Sequence, residues 1–84
     1  MKEHFITFRS VTYAQRGESV LRAAGIRCTL LRTPRWMEEQ GCGYCLRLHW
    51  RDLHRGLALL RSEQVPFRKI YAQTESGTIA EVVL

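Results

Sequence analysis

The chain has 84 residues, 45% hydrophobic and 25% charged, enough for one domain with one core and too few for a large catalytic cleft walled by a single subunit. Two prolines and six glycines exclude a collagenous or disordered chain. The net charge of +5 comes from 13 basic against 8 acidic side chains, and 11 of the 13 are arginine. No basic run or aromatic–basic interleaving of the nucleic-acid-binding kind accompanies it, so nucleic acid is not expected as a partner.

Met1-Lys2-Glu3-His4-Phe5 lacks the apolar run of a signal peptide, and no stretch approaches the roughly 18 apolar residues of a membrane span. A cytoplasmic location without a membrane partner is expected. Residues 4–8 read as a strand through Phe5, Ile6 and Phe8, with Ser10 placed to cap a helix. Over 11–24, Ala14, Gly17, Leu21 and Ala24 recur near helical spacing, and Gly25 stands where a helix ends. Small residues on that stripe let the helix pack close to a sheet.

A second strand is predicted over 27–31, ended by Thr33-Pro34. Over 44–49, Tyr44, Leu46 and Leu48 alternate with Cys45, Arg47 and His49, the period of a strand with one buried face. A second helix follows over 51–63, with Asp52 near its start, Leu53, Leu57 and Leu60 facing the core, and Gly56 as a mild defect. A fourth strand covers 67–72, and Glu75-Ser76-Gly77 separates it from an apolar, strand-like tail over 78–84.

The order β-α-β-β-α-β predicts an α+β ferredoxin-like sandwich, with two helices on one face of a four-stranded antiparallel sheet. Residues 1–73 form this domain and 74–84 a C-terminal extension. The first and second strands then run parallel with the third between them. The third strand therefore starts at the edge where the first helix begins, putting Cys42 near Ser10, Val11 and Thr12.

Three cysteines, two of them paired in Gly41-Cys42-Gly43-Tyr44-Cys45, favour reactive or metal-binding thiols over a disulfide framework in a reducing compartment. A helix N-terminus favours thiolate at Cys42, and Arg9, Arg32 and Arg35 gathered at the same edge add to the effect. Cys45 alternates away from Leu46 and Leu48, onto the face without helices, where two readings stand: an accessible thiol beside Cys42, or a small hydrophobe packed under the tail. Cys28 shares a strand face with Leu30 and reads as core. Arg35 and Arg47, with Ser10 at the helix terminus, are candidate anion-binding residues.

Cys42, Cys45, His49 and His54 form C-x2-C-x3-H-x4-H, a spacing of no common zinc module, and His54 belongs at the opposite end of the sheet. No metal and no cofactor are assigned. Copper-chaperone domains place their C-x-x-C between the first strand and first helix, where this chain has Arg9-Ser10-Val11. Thioredoxin-like chemistry is disfavoured because no helix begins at Cys42.

Phe8-x-Ser10 before a helix, Ala23-x-Gly25-Ile26 closing it, Thr33-Pro34-Arg35, and Gly41-Cys42-Gly43-x-Cys45-Leu46-Arg47 occur in this order over about 4–73. Together they resemble the selenium/sulfur carrier-like family of small prokaryotic proteins. The resemblance implies an intracellular domain that handles sulfur or selenium with the cysteine matching Cys42; the tail lies beyond it. On this reading Cys42 is a nucleophilic thiolate that accepts a sulfur or selenium atom as a persulfide or perselenide. Cys45 is a resolving thiol, and the partners are donor and acceptor proteins. Such a chain is a carrier or accessory protein rather than a stand-alone enzyme. Two alternatives stand beside it: a non-catalytic interaction module or homodimer using the open sheet face and the tail, and a metal-binding domain using the C-x-x-C loop.

Overall fold

The structure, a computed structural model, describes residues 3–34, 43–74 and 76–83. The elements are β1 (Glu3–Phe8), α1 (Val11–Ala23), β2 (Cys28–Arg32), β3 (Tyr44–His49), a 3-10 turn (Trp50–Asp52), α2 (Leu53–Ser62), β4 (Ile70–Gln73) and β5 (Ile79–Val82). Among the described residues the architecture is α+β, with two helices and one antiparallel sheet in the order β2-β3-β1-β4-β5. The expectation of a four-stranded sheet is corrected to five strands. The apolar tail pairs with β4, Ile70 opposite Val82 and Gln73 opposite Ile79. β1 and β2 both run antiparallel to β3, one on each side of it.

The helix boundaries follow from local chemistry. Ser10 is extended (φ −142°, ψ 162°) and its side-chain oxygen accepts the Tyr13 N–H, so α1 starts where the capping residue stands. At the other end Gly25 takes φ +82°. This lets the Gly25 N–H reach Arg22 O and the Ile26 N–H reach Leu21 O, both at 3.0 Å, the double closure that satisfies a helix's last carbonyls. The same closure ends α2, with Gln64 rather than glycine in the left-handed region (φ 57°) and the Val65 N–H on Leu60 O.

Two elements differ from expectation for local reasons. The second helix opens with a 3-10 turn in which the His49 side chain accepts the Arg51 N–H. β4 begins at Ile70 because Thr7 meets both Arg68 and Lys69. Its N–H donates to Lys69 O at 2.8 Å, its carbonyl accepts from Arg68 N–H at 2.8 Å, and its hydroxyl oxygen accepts the Lys69 N–H at 2.9 Å. Two residues against one make a local bulge, which interrupts regular pairing upstream of Ile70.

The helices cover one sheet face. Ile6, Phe8, Leu46, Leu48 and Ile70 from the strands pack with Ala14, Leu21, Leu53, Leu57 and Leu60 from the helices. Gly17 allows the close approach: a Cβ there would stand 3.0 Å from Phe8 Cζ. Gly56 faces Leu48 Cδ1 and Leu21 at 3.3 and 3.5 Å from an added Cβ, so it serves helix–sheet and helix–helix contact. The opposite sheet face carries a second cluster, Phe5 and Cys45 flanked by Leu31, Tyr71 and Ile79.

Candidate functional site

The third strand begins at a crowded corner. Tyr44, its first residue, lies opposite Phe8 at the end of β1 and opposite Arg32 at the end of β2. The Thr33 N–H donates to Gly43 O at 3.0 Å, tying Gly43 to the exit of β2. Gly43 is buried and is bonded to Cys42. The corner also holds Ser10 and the first turn of α1, whose unpaired N–H groups carry the positive end of the helix dipole. Cys42 and Arg35 lie outside the described residues.

Basic and aromatic groups line this corner. The Arg32 guanidinium sits 5.9 Å from the centre of the Tyr44 ring, and Arg9 is exposed. Beside Ser10, a cleft of about 210 Å³ is lined by Arg9, Tyr13, Pro66, Phe67 and Arg68. Sequence reasoning named Arg9 and Arg32 but not Tyr13, Phe67 or Arg68. The last two arrive through the bulge that binds residues 68 and 69 to Thr7, for which the sequence carries no local signal.

Cys45 occupies the helix-free face, as alternation predicts, and of its two readings packing under the tail holds and accessibility does not: it is 0% exposed, in a cluster with Phe5 flanked by Leu31, Tyr71 and the tail residue Ile79. Burial pushes its thiol pKa up, and the neighbouring Thr33 hydroxyl and Arg47 charge oppose this only in part. The Thr33 hydroxyl oxygen is itself buried with no hydrogen-bond partner among the described residues. Cys28 is also buried and its pKa is raised by desolvation, with Arg22 lowering it and Glu18 adding a smaller upward push.

The remaining candidates separate. The Ser10 hydroxyl oxygen is engaged with Tyr13 N–H at 3.3 Å, so its observed role is that of a helix cap. Arg47 lies opposite Thr29 and Phe5, three positions along β3 from Tyr44 and about 10 Å away along the strand. Its Nε approaches a Glu3 carboxylate oxygen at 3.6 Å, at the far end of the sheet from the loop. The structure does not bring Arg47 to Ser10.

Cys45 and His49 share a face, but four strand residues separate them by about 13 Å, beyond a common metal ion. Among the described residues no group of three or more His, Cys, Asp or Glu side chains is placed to hold a metal.

The corner therefore belongs to a small α+β domain in which Gly43, at the start of an inner strand, is tied to the exit of β2 beside the N-terminal edge of α1. The chain matches the family described as Putative Se/S carrier protein-like over residues 3–72 and belongs to that family. The match ends within β4, before β5. No curated protein and no solved structure matches the chain. Among the described residues no helix is long and apolar enough to cross a membrane.

Proposed function

We propose that this chain is a sulfur or selenium carrier that holds one atom on Cys42 as a persulfide or perselenide and passes it between partner proteins in the cytoplasm. The observation that carries this reading is the state of the other two thiols. Cys28 and Cys45 are buried and their pKa values are raised, so neither holds much thiolate at neutral pH. Family membership supports the choice of element. The order β2-β3-β1-β4 with both helices on one face supports a ferredoxin-like scaffold over 1–73, with 74–84 as an added strand.

In the loading step the Cys42 thiolate attacks the terminal sulfur of a donor persulfide. The donor S–S bond breaks, the donor thiolate leaves, and Cys42 retains the transferred sulfur with no net oxidation or reduction. A donor with selenium in the terminal position reacts in the same way. Arg9 and Arg32 with the α1 terminus favour the anionic forms at this edge, and the sequence offers Arg35 as a further cation. Cys45 is the resolving thiol: its thiolate attacks the inner Cys42 sulfur, expels hydrosulfide and leaves a disulfide that an external dithiol must reduce. Its burial means that this release follows local opening of the sheet face.

A second reading, an interaction module or homodimer, is favoured by β5. This strand forms the outer edge of the sheet, and Val83 beyond it is 87% exposed, so its free backbone groups can accept another strand.

The carrier reading is tested by incubation with a cysteine desulfurase and cysteine, or with a selenide donor, followed by intact-mass spectrometry. A single-atom adduct is expected on the native chain and on Cys28→Ala and Cys45→Ala, and none on Cys42→Ser. An adduct that survives Cys42→Ser, or a native chain that is never loaded, rejects carriage on Cys42.

A further inference from the structure

A second basic site lies at the other end of the sheet. The start of β1, the end of β3 and the C-terminal end of α1 enclose an open groove of about 650 Å³, with Arg22, Arg27, Arg47, His49, Glu3 and Cys28 among its walls. That volume falls in the range of ligand sites. No sequence motif announces it. Arg22 comes from a helix, Arg27 from the turn after it, and Arg47 and His49 from a strand that the topology brings alongside.

The cations in this groove differ in how firmly they are held. Arg22 is anchored, with Nη2 on Cys28 O at 3.0 Å and an ion pair to Glu18 at 3.2 Å. Arg47 has a long contact to Glu3 at 3.6 Å, which a ligand oxygen can replace. Arg27 is exposed and makes no hydrogen bond or ion pair among the described residues. His49 accepts the Arg51 N–H through Nδ1 at 3.3 Å, so in its neutral form the proton is on Nε2, which can donate.

We infer that this groove docks an acidic segment of a partner polypeptide, with Arg27 and Arg47 as its carboxylate-binding groups and His49 as an added donor. The argument is charge complementarity. Three guanidinium groups face one lining carboxylate, and the planar guanidinium fork matches a carboxylate in two parallel hydrogen bonds. Apart from the His49 imidazole, no aromatic ring among the described residues lines the groove, whereas single-stranded nucleic acid is held by cations interleaved with stacking rings. The groove is also remote from the loop: Tyr44 and His49 are five strand residues apart, about 17 Å. A ligand here therefore anchors a partner without occupying the corner that holds Gly43. This inference stands on the groove and does not depend on which atom, if any, Cys42 carries.

The experiment is fluorescence anisotropy of a short labelled peptide of alternating glutamate and aspartate, titrated with the full chain at about 0.15 M salt, where surface charges more than about 8 Å apart are screened. The variants are Arg27→Ala/Arg47→Ala and, as a charge control outside the groove, Arg16→Ala, with circular dichroism confirming that each is folded. The double variant is expected to bind about tenfold more weakly or worse, and Arg16→Ala within about twofold of the native chain. Three results overturn the proposal: no binding by the native chain, similar losses per removed charge in both variants, or tighter, equally arginine-dependent binding of a single-stranded oligonucleotide or pyrophosphate. Carriage on Cys42 is read by mass spectrometry and is unaffected by any of these outcomes.

Discussion

A thiol enclosed in a protein core and a thiol in water are the same group with different chemistry. At Cys28 and Cys45, burial raises the pKa above the usual value of about 8.5, so the folded chain keeps protons that the unfolded chain releases. The sign follows. This contribution to stability is complete below about pH 8 and is lost as pH rises through the raised values. The urea midpoint is expected to fall between pH 7.5 and about 9.5, and to fall less in Cys28→Ala/Cys45→Ala than in the native chain. At pH 7 the double variant is the less stable of the two, by about 1–2 kcal/mol per site, because each alanine leaves a small void. Alternation along β3 made the face of Cys45 legible from sequence. Its burial was legible only as one of two readings, because the cover includes Tyr71 and Ile79, whose strands reach that face through a register set by distant contacts.

At the scale of elements, the two helices depend on glycine in different degrees. Gly17 in α1 packs against the fully buried Phe8 ring, so Gly17→Val forces a branched side chain into occupied space. The expected loss is about 2 kcal/mol or more by urea denaturation. Gly56 in α2 faces a leucine methyl at 3.3 Å, which can shift slightly. The helix-propensity gain of about 1 kcal/mol then offsets the tighter contact, and Gly56→Ala is expected to be near neutral.

Most element boundaries were legible because their signals are local: Ser10 as a cap, Gly25 in the left-handed region, Leu53, Leu57 and Leu60 on one helical face. The late start of β4 was not, because the bulge is a relation between Thr7 and residues more than sixty positions later. The sequence reading of Gly56 as a defect changes for the same reason, since its partners Leu48 and Leu21 lie on other elements.

For the whole molecule, β5 is the element with the widest consequences. It adds Ile79 to the Phe5–Cys45 cluster and sets Val82 against the main core. Ending the chain after Gly77 removes two partly buried side chains, a loss of about 2–3 kcal/mol, and uncovers part of the helix-free face. The truncated chain is expected to remain folded while Cys45 reacts with iodoacetamide several-fold faster than in the full chain, measured by peptide mass spectrometry under native conditions. An unchanged rate means that Ile79 does not guard the thiol. Light scattering of the same two forms separates a β5-mediated dimer from a monomer.

The site divides in the same way as the fold: the corner around Gly43 could be anticipated from strand order. The far groove could not, because Arg22, Arg27 and Arg47 meet only through the assembled topology.

The innermost position of β1 has a further consequence, for synthesis. Both of its neighbours, β3 and β4, come later in the chain, and the pairing of β1 is complete only when Gln73 is available. At translation rates of about 5–20 residues per second, the 65 residues from Phe8 to Gln73 take roughly 3–13 s to emerge. Throughout that interval the nascent chain presents the apolar segment Phe5-Ile6-Thr7-Phe8 with at least one edge unpaired, a stretch on which a ribosome-associated chaperone can act before the domain closes.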